Sequence, residues 1–234
     1  MLHVPAFDHQ AEVHIRRSIE RARSLAHARK EAGQVRAGQY VLISREAGAG
    51  GSDIAVSVAK LLGWEVLDHE IIDYMVEHYG ASPKLLEAID ERRSPWLTEI
   101  VNSWTQDAGG MPTMKYVHRL HELFQLAASR GKVVIVGRGA RFMLPRDGGL
   151  SVRIVAPLEH RIANTAAARG ISTEQASQVV RKLDREREAF VREYFHHSAD
   201  DPQFYDLIVN SEQLGKERVA DLIAHVMRQQ DSDA

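Results

Sequence analysis

The sequence contains no cysteine, and this one absence removes disulfides, thiolate zinc sites and a cysteine nucleophile from consideration. It fits a reducing compartment. An excess of either charge is missing too: 30 Lys and Arg stand against 32 Asp and Glu, a net charge of −2. No global field therefore draws the chain to nucleic acid or to an anionic membrane, and an anionic ligand has to be held by a local group of cations. No apolar run approaches the roughly 18 residues of a membrane span. The stretch from Met1 to Asp8 has neither the basic nor the apolar region of a secretory leader. The expectation is a cytoplasmic protein with no membrane or nucleic-acid partner. What is present, 44% hydrophobic and 26% charged residues over 234 positions, suits one α/β domain with an extension.

Residues 1–36 read as that extension. Between 10 and 32 the chain is rich in Ala, Arg, Glu and His, with Val13, Ile15, Ile19 and Leu25 as sparse apolar positions. This predicts a solvated, weakly amphipathic helix, with homo-oligomerisation through it as the functional alternative. The breaker from Gly33 to Gly38 leads into a domain covering 37–234. Short apolar runs at Tyr40–Ser44, Glu65–Leu67, Lys132–Val136, Ser151–Val155 and Asp206–Val209 predict five strands. Helical patterns separate them: Ile54, Val58, Leu61 and Leu62 mark the first, and 69–130 form a largely helical insertion. A charged stretch over 157–196 breaks at Gly170, and a last helix spans about 215–227. Buried strands alternating with helices argue for a parallel sheet covered on both faces. Right-handed crossovers bring the strand C-termini to one edge, where ligands collect. Four polar elements follow strands there: the 45–51 turn, Asp68, Gly137-Arg138-Gly139 and Asn210-Ser211.

The turn is the centre of the functional reading. Glycines allow φ > 0, so successive N–H groups can converge on an anion, and the following helix adds its N-terminal dipole. Gly48, Gly50 and Gly51 supply that freedom, Ala49 lies among them, and Ser52 and Asp53 start the helix. Against the phosphate-loop pattern G-x-x-x-x-G-K-[ST], Gly50 and Ser52 match. Arg45 stands at the first Gly, and Gly51 stands at the lysine. That lysine ordinarily neutralises charge on the β- and γ-phosphates, so another cation has to replace it. Arg45 is nearest in sequence; Arg138 and the arginines of 181–192 are the others. Arg138 follows an apolar strand and is flanked by glycines, which puts it at the ligand edge with space around it. Residues 181–192 alternate cations and carboxylates, as a solvated helix with i,i+4 pairs also would.

These blocks resemble the cytidylate kinase-like family: Ile43-Ser-Arg-Glu-Ala-Gly-Ala-Gly-Gly51, Leu67-Asp-His-Glu-Ile-Ile72, Gly137-Arg-Gly-Ala140, Ala156-Pro-Leu-Glu-His-Arg161, Lys182-Leu-Asp-Arg-Glu-Arg187 and Tyr205-Asp-Leu-Ile-Val-Asn-Ser211. The resemblance implies a three-layer P-loop NTPase fold with a five-stranded parallel sheet. It also implies that the 69–130 insertion binds the acceptor and that the 157–200 region is an arginine-rich lid. The implied activity is phosphoryl transfer from ATP, with Mg²⁺, to CMP or dCMP. The backbone of 48–52 would hold the β-phosphate, and Ser52 would ligate the metal. Arg138, Asp184 and Arg187 would orient the acceptor, Asp68 would bind the acceptor or metal-bound water, and Arg161 would lie near the ATP base or phosphates. Arg45, Arg138 and Arg187 are the candidate catalytic cations. The family's Gly-Arg-Asp block reads Gly-Arg-Gly here, so the acceptor is less firmly implied than the fold.

Other constellations carry less. His118 with His121 and the pair His196-His197 have no third ligand at metal-site spacing. Asp200-Asp201 before Pro202 reads as a turn. Trp96 and Trp104 fall in the insertion, where core packing and base stacking are both open. Three rival functions remain: a nucleotide sensor without turnover, a kinase for a non-nucleotide acceptor, and a scaffold assembled through the N-terminal helix.

Overall fold

The computed structural model describes residues 39–68, 113–137 and 139–232. The N-terminal extension, both insertion tryptophans and Arg138 lie outside these residues.

Five strands form one sheet: β1 (Tyr40–Arg45), β2 (Glu65–Asp68), β3 (Val133–Val136), β4 (Gly149–Val155) and β5 (Leu207–Asn210). Their order is β2-β3-β1-β4-β5, and all pairs are parallel. The helices among the described residues are α1 (Gly51–Leu62), α2 (Thr113–Arg130), α3 (Ala140–Met143), α4 (Leu158–Arg169), α5 (Thr173–Phe195), α6 (Ser211–Leu214) and α7 (Lys216–Ser232). This is the layered parallel α/β architecture that the sequence predicts.

Strand alternation assigns the two faces. Val41, Ile43, Val134, Val136, Val152 and Ile154 point to one, where Ile54 and Val58 of α1 and Val219 and Ile223 of α7 cover them. Tyr40, Leu42, Val133, Ile135 and Leu67 point to the other, against Leu120, Leu123 and Phe124 of α2 and Met143 of α3. The second face changes character at β4, whose inward residues there are the buried polar Ser151 and Arg153. Ser44 of β1 lies beside Arg153 in register. A polar strip therefore runs along the β1–β4 seam on a face that is apolar elsewhere.

Several boundaries differ from the sequence reading for local reasons. β3 starts one residue late because Lys132 takes φ 57°, outside the extended region. β5 starts after Asp206, whose carboxylate accepts from the Ser151 N–H at 2.7 Å and whose own N–H donates to Ser151 O. The charged stretch divides at Gly170, φ 62°, as the sequence predicts, and α5 restarts on a capping box made by Ser172 and Gln175.

Candidate active site

The turn after β1 is built with its carbonyls toward the protein. Those of Ala47, Gly48 and Ala49 accept from Arg161 Nη1 (3.1 Å), Asn164 Nδ2 (3.2 Å) and Ser211 Oγ (2.8 Å). Glu46 O and Gly50 O accept from the N–H groups of Ala49 and Ile54. Gly48 and Gly50 hold φ of 80° and 77°, which turns the intervening peptides over. Among the described residues, the N–H groups of Gly48, Gly50, Gly51, Ser52 and Asp53 meet no protein acceptor, and no side chain caps α1. Five donors on one turn at a helix N-terminus form a cradle for an anion. The half-buried Ser52 lies on its first helical turn.

Arg45 ends β1 and is 7% exposed. Its stem crosses the start of α1: a Cβ on Gly51 would lie 2.7 Å from Arg45 Cβ and 2.8 Å from Cγ. Its guanidinium ends against Gly137, where a Cβ would fall on Nη1. The two departures from the phosphate-loop pattern are thus one arrangement. Arginine at the first position fills the space that a side chain at Gly51 would need, and it carries a cation along the sheet edge toward the loop after β3.

Arg161 and Asp184 hold the turn from within. Arg161, buried, donates from Nε to Ala156 O (2.9 Å) and from Nη1 to Ala47 O and to Asp184 Oδ2 (2.6 Å). Asp184 Oδ1 accepts from the Ala47 N–H at 2.8 Å. Glu46 completes the cluster, with Oε2 accepting from the Ala156 N–H (2.9 Å) and 3.3 Å from Arg161 Nε. Through Nε and Nη1 Arg161 braces the turn, and its contact with the ATP base or phosphates stays a proposal. Asp184 also borders the cavity described next, while both its oxygens already serve the turn.

A cavity of about 320 Å³ opens between the end of β1, the loop after β3 and α5. Of the expected site residues, Arg45, Asp184 and Arg187 line it. Arg187 also donates from Nη1 to Arg45 O (3.2 Å), which brings α5 down onto the strand end. The other α5 arginines with assigned hydrogen bonds point elsewhere: Arg181 to Ser177 and Arg192 to Glu188 on the exposed side. Gly48–Asp53 and Asp68 do not contribute to the lining, and Asp68 is half-buried at the end of β2. A Cβ on Gly139 would lie 2.5 Å from Phe195 Cε2. An aspartate at that position would therefore collide with the ring.

Three cations near the site had no functional signal in the sequence. Arg141 and Arg153 line the cavity, and the only trace of Arg153 was the alternation Leu150, Val152, Ile154 in a strand read as uniformly buried. Lys216, at the start of α7, reaches across to the turn. Its Nζ is 2.5 Å from Asp53 Oδ2, and its Cε is 2.6 Å from where a Cβ on Gly50 would be. Asn210 and Ser211 take scaffold roles. Asn210 caps α6, and Ser211 bonds Ala49 O. Among the described residues no group of three His, Asp or Glu forms a metal cage, and no helix is long and apolar enough to cross a membrane.

Residues 40–213 match the family model described as the cytidylate kinase-like family. Over 107 residues, 45% of the chain, the sequence is 31% identical to a cytidylate kinase of Sulfolobus acidocaldarius, and the match spans 58% of that protein. Over 97 residues, 42% of the chain, it is 28% identical to a uronate isomerase of Corynebacterium glutamicum, spanning 19% of that protein. The chain thus spans just over half the length of one curated relative and about a fifth of the other. The crystal structure of an uncharacterized protein from Eubacterium ventriosum superposes with a TM-score of 0.61 at 16% identity, covering 81% of this chain and 98% of that one. At that identity the likeness concerns the fold alone.

Proposed function

The chain belongs to the cytidylate kinase-like family, and on that premise we propose that it transfers the γ-phosphoryl group of ATP to a nucleoside monophosphate, with CMP or dCMP as the first candidates. The observation that carries this reading is the turn at 46–53. Its carbonyls are engaged by the protein, its N–H groups are open, and the Arg45 stem lies alongside, carrying its guanidinium on to Gly137. Phosphoryl transfer needs positioning and charge neutralisation more than covalent help from the protein, and this is what such a site can provide.

In this reading the backbone of Gly48–Asp53 cradles the β-phosphate. Mg²⁺ asks for few protein ligands beside phosphate and water, and the Ser52 hydroxyl fits that need. Bound there, MgATP supplies the phosphoryl group, and the metal's charge offsets that of the phosphate oxygens. Arg45 takes the place of the missing lysine, because its stem already occupies the lysine's space. Arg187, joined to the Arg45 carbonyl, adds a second cation from α5. Asp184 and Arg161 keep the turn in its binding shape. Arg138 and Asp68 remain proposed acceptor contacts.

A second reading, a kinase for a non-nucleotide acceptor, is favoured by Phe195, which fills the space beside Gly139. A coupled assay with ATP and Mg²⁺ across the common nucleoside monophosphates tests the first. Turnover with CMP or dCMP is expected. ATP binding without turnover on any of them defeats the nucleotide-kinase reading and leaves a sensor or the second reading.

A further inference from the structure

The cavity beside the turn is lined by two arginines that the reading of the turn does not use, Arg141 and Arg153, among the carboxylates of Glu46, Asp184, Glu186, Glu188 and Asp200. Arg141, in α3, is 9% exposed and lines the cavity, yet its Nε has no hydrogen-bond partner. Burial pushes its guanidinium below the ordinary arginine range and Arg146 adds repulsion, while Asp206, Tyr40 and Tyr205 pull the other way. An arginine remains charged in a protein, so an unmet donor in such a place is a standing cost. Arg153 lines the same cavity, itself buried, with Nη1 on Ser44 Oγ at 3.2 Å, Nη2 paired to Asp200, and the guanidinium 5.7 Å from the Tyr205 ring centroid. The Asp200 side chain is 74% exposed, so water screens much of its charge.

Two guanidiniums, one of them unsatisfied, suit a doubly charged oxyanion better than a neutral group. The phosphate-binding turn is already assigned to the donor nucleotide. Phe195 fills the space that a side chain at residue 139 would need. We propose that Arg141 and Arg153 form the acceptor's anchor, taking the phosphate monoester of the acceptor in this cavity. The proposal rests on the phosphotransfer reading and adds that the acceptor is selected chiefly by its phosphate.

Calorimetry on the full chain tests it with CMP, cytidine, inorganic phosphate and ATP, on the wild type, Arg141→Met and Arg141→Lys. The wild type binds CMP, phosphate competes, and cytidine binds at least about tenfold more weakly. Arg141→Met weakens CMP and phosphate about tenfold, leaves ATP affinity unchanged, and does not lower Tm, since it removes an unmet buried donor. If Arg141→Met does melt lower, Arg141→Lys decides: weaker phosphate binding at unchanged Tm supports the anchor. Phosphate bound as tightly by both variants as by the wild type, cytidine bound as tightly as CMP, or a wild type binding neither CMP nor phosphate overturns it. Failure of the wild type to bind ATP removes the phosphotransfer reading instead. Phosphate binding that depends on Arg141 would survive that failure.

Discussion

Arg45 and Gly51 share one space: a Cβ on residue 51 would stand 2.7 Å from Arg45 Cβ. Restoring the lysine alone is therefore predicted to harm the protein. Gly51→Lys should destabilise it by about 1–3 kcal/mol through overpacking, with no gain in turnover. The double variant Arg45→Gly, Gly51→Lys rebuilds the common pattern and should recover most of that stability. Arg45→Ala should leave the fold intact and lower kcat about 10²-fold or more, as loss of a cation at the transferring phosphoryl group does. Thermal melts and steady-state kinetics on the four proteins check this, and a fully active Arg45→Ala would end the replacement argument.

Asp184→Ala is expected to loosen the phosphate turn. It takes an acceptor from the Ala47 N–H and a counter-charge from buried Arg161, leaving Glu46 as that guanidinium's remaining carboxylate in the cluster. A cost of about 1–3 kcal/mol follows in urea unfolding, because Asp184 is partly open to water. Asp184→Asn keeps an oxygen for Ala47 and should lose less. Both should raise KM for ATP; an unchanged KM in Asp184→Ala would show that the turn keeps its shape without the clamp.

The sheet was legible in the sequence because its strands are short apolar runs set between helices, and the turn because glycines follow a strand directly. The clamp was not. Ala47, Arg161 and Asp184 are joined only when α4 and α5 fold back onto the turn, so the bracing role of Arg161 carried no signal in the sequence. Arg153 was hidden by its apolar neighbours. Gly51 read as a missing lysine, and only the path of the Arg45 stem shows that nothing larger fits. Arg141 carried no signal because its single distinguishing property, an unpartnered buried Nε, exists only in three dimensions.

Glu188 should contribute to acid sensitivity. Burial would raise its pKa, but the Ala199 N–H, Arg192 and Ser198 outweigh that and hold the carboxyl below its ordinary 4.5. A depressed folded pKa gives stability that is present in full above the unfolded value and is lost as pH falls through the folded one. The advantage of wild type over Glu188→Gln should be level from about pH 6 upward and shrink toward about pH 3. Its size should stay below about 1 kcal/mol, because the group is partly solvated. Denaturant midpoints across that range test it, and a gap that widens on acidification would reverse the sign and refute the assignment.

Lys216 separates a surface ion pair from a phosphate ligand. Its contact with Asp53 is short, but the two side chains are 46% and 68% exposed, so the pair itself should add little to stability. Lys216→Met should accordingly shift the unfolding midpoint by no more than about 0.5 kcal/mol. The same ammonium group lies over Gly50, beside the N–H groups that would hold the phosphate. If it contributes to that field, Lys216→Met should raise KM for ATP about three- to tenfold. Salt should then weaken ATP binding less in the variant than in the wild type, because the variant has one cation fewer to screen. Asp53→Asn supplies the opposite arm: it frees Lys216 from its carboxylate and removes a negative charge from the helix N-terminus, so KM should fall. Were Asp53→Asn to raise KM for ATP while Lys216→Met left it unchanged, the ion pair would be a fastening for α7 and Lys216 no part of the site.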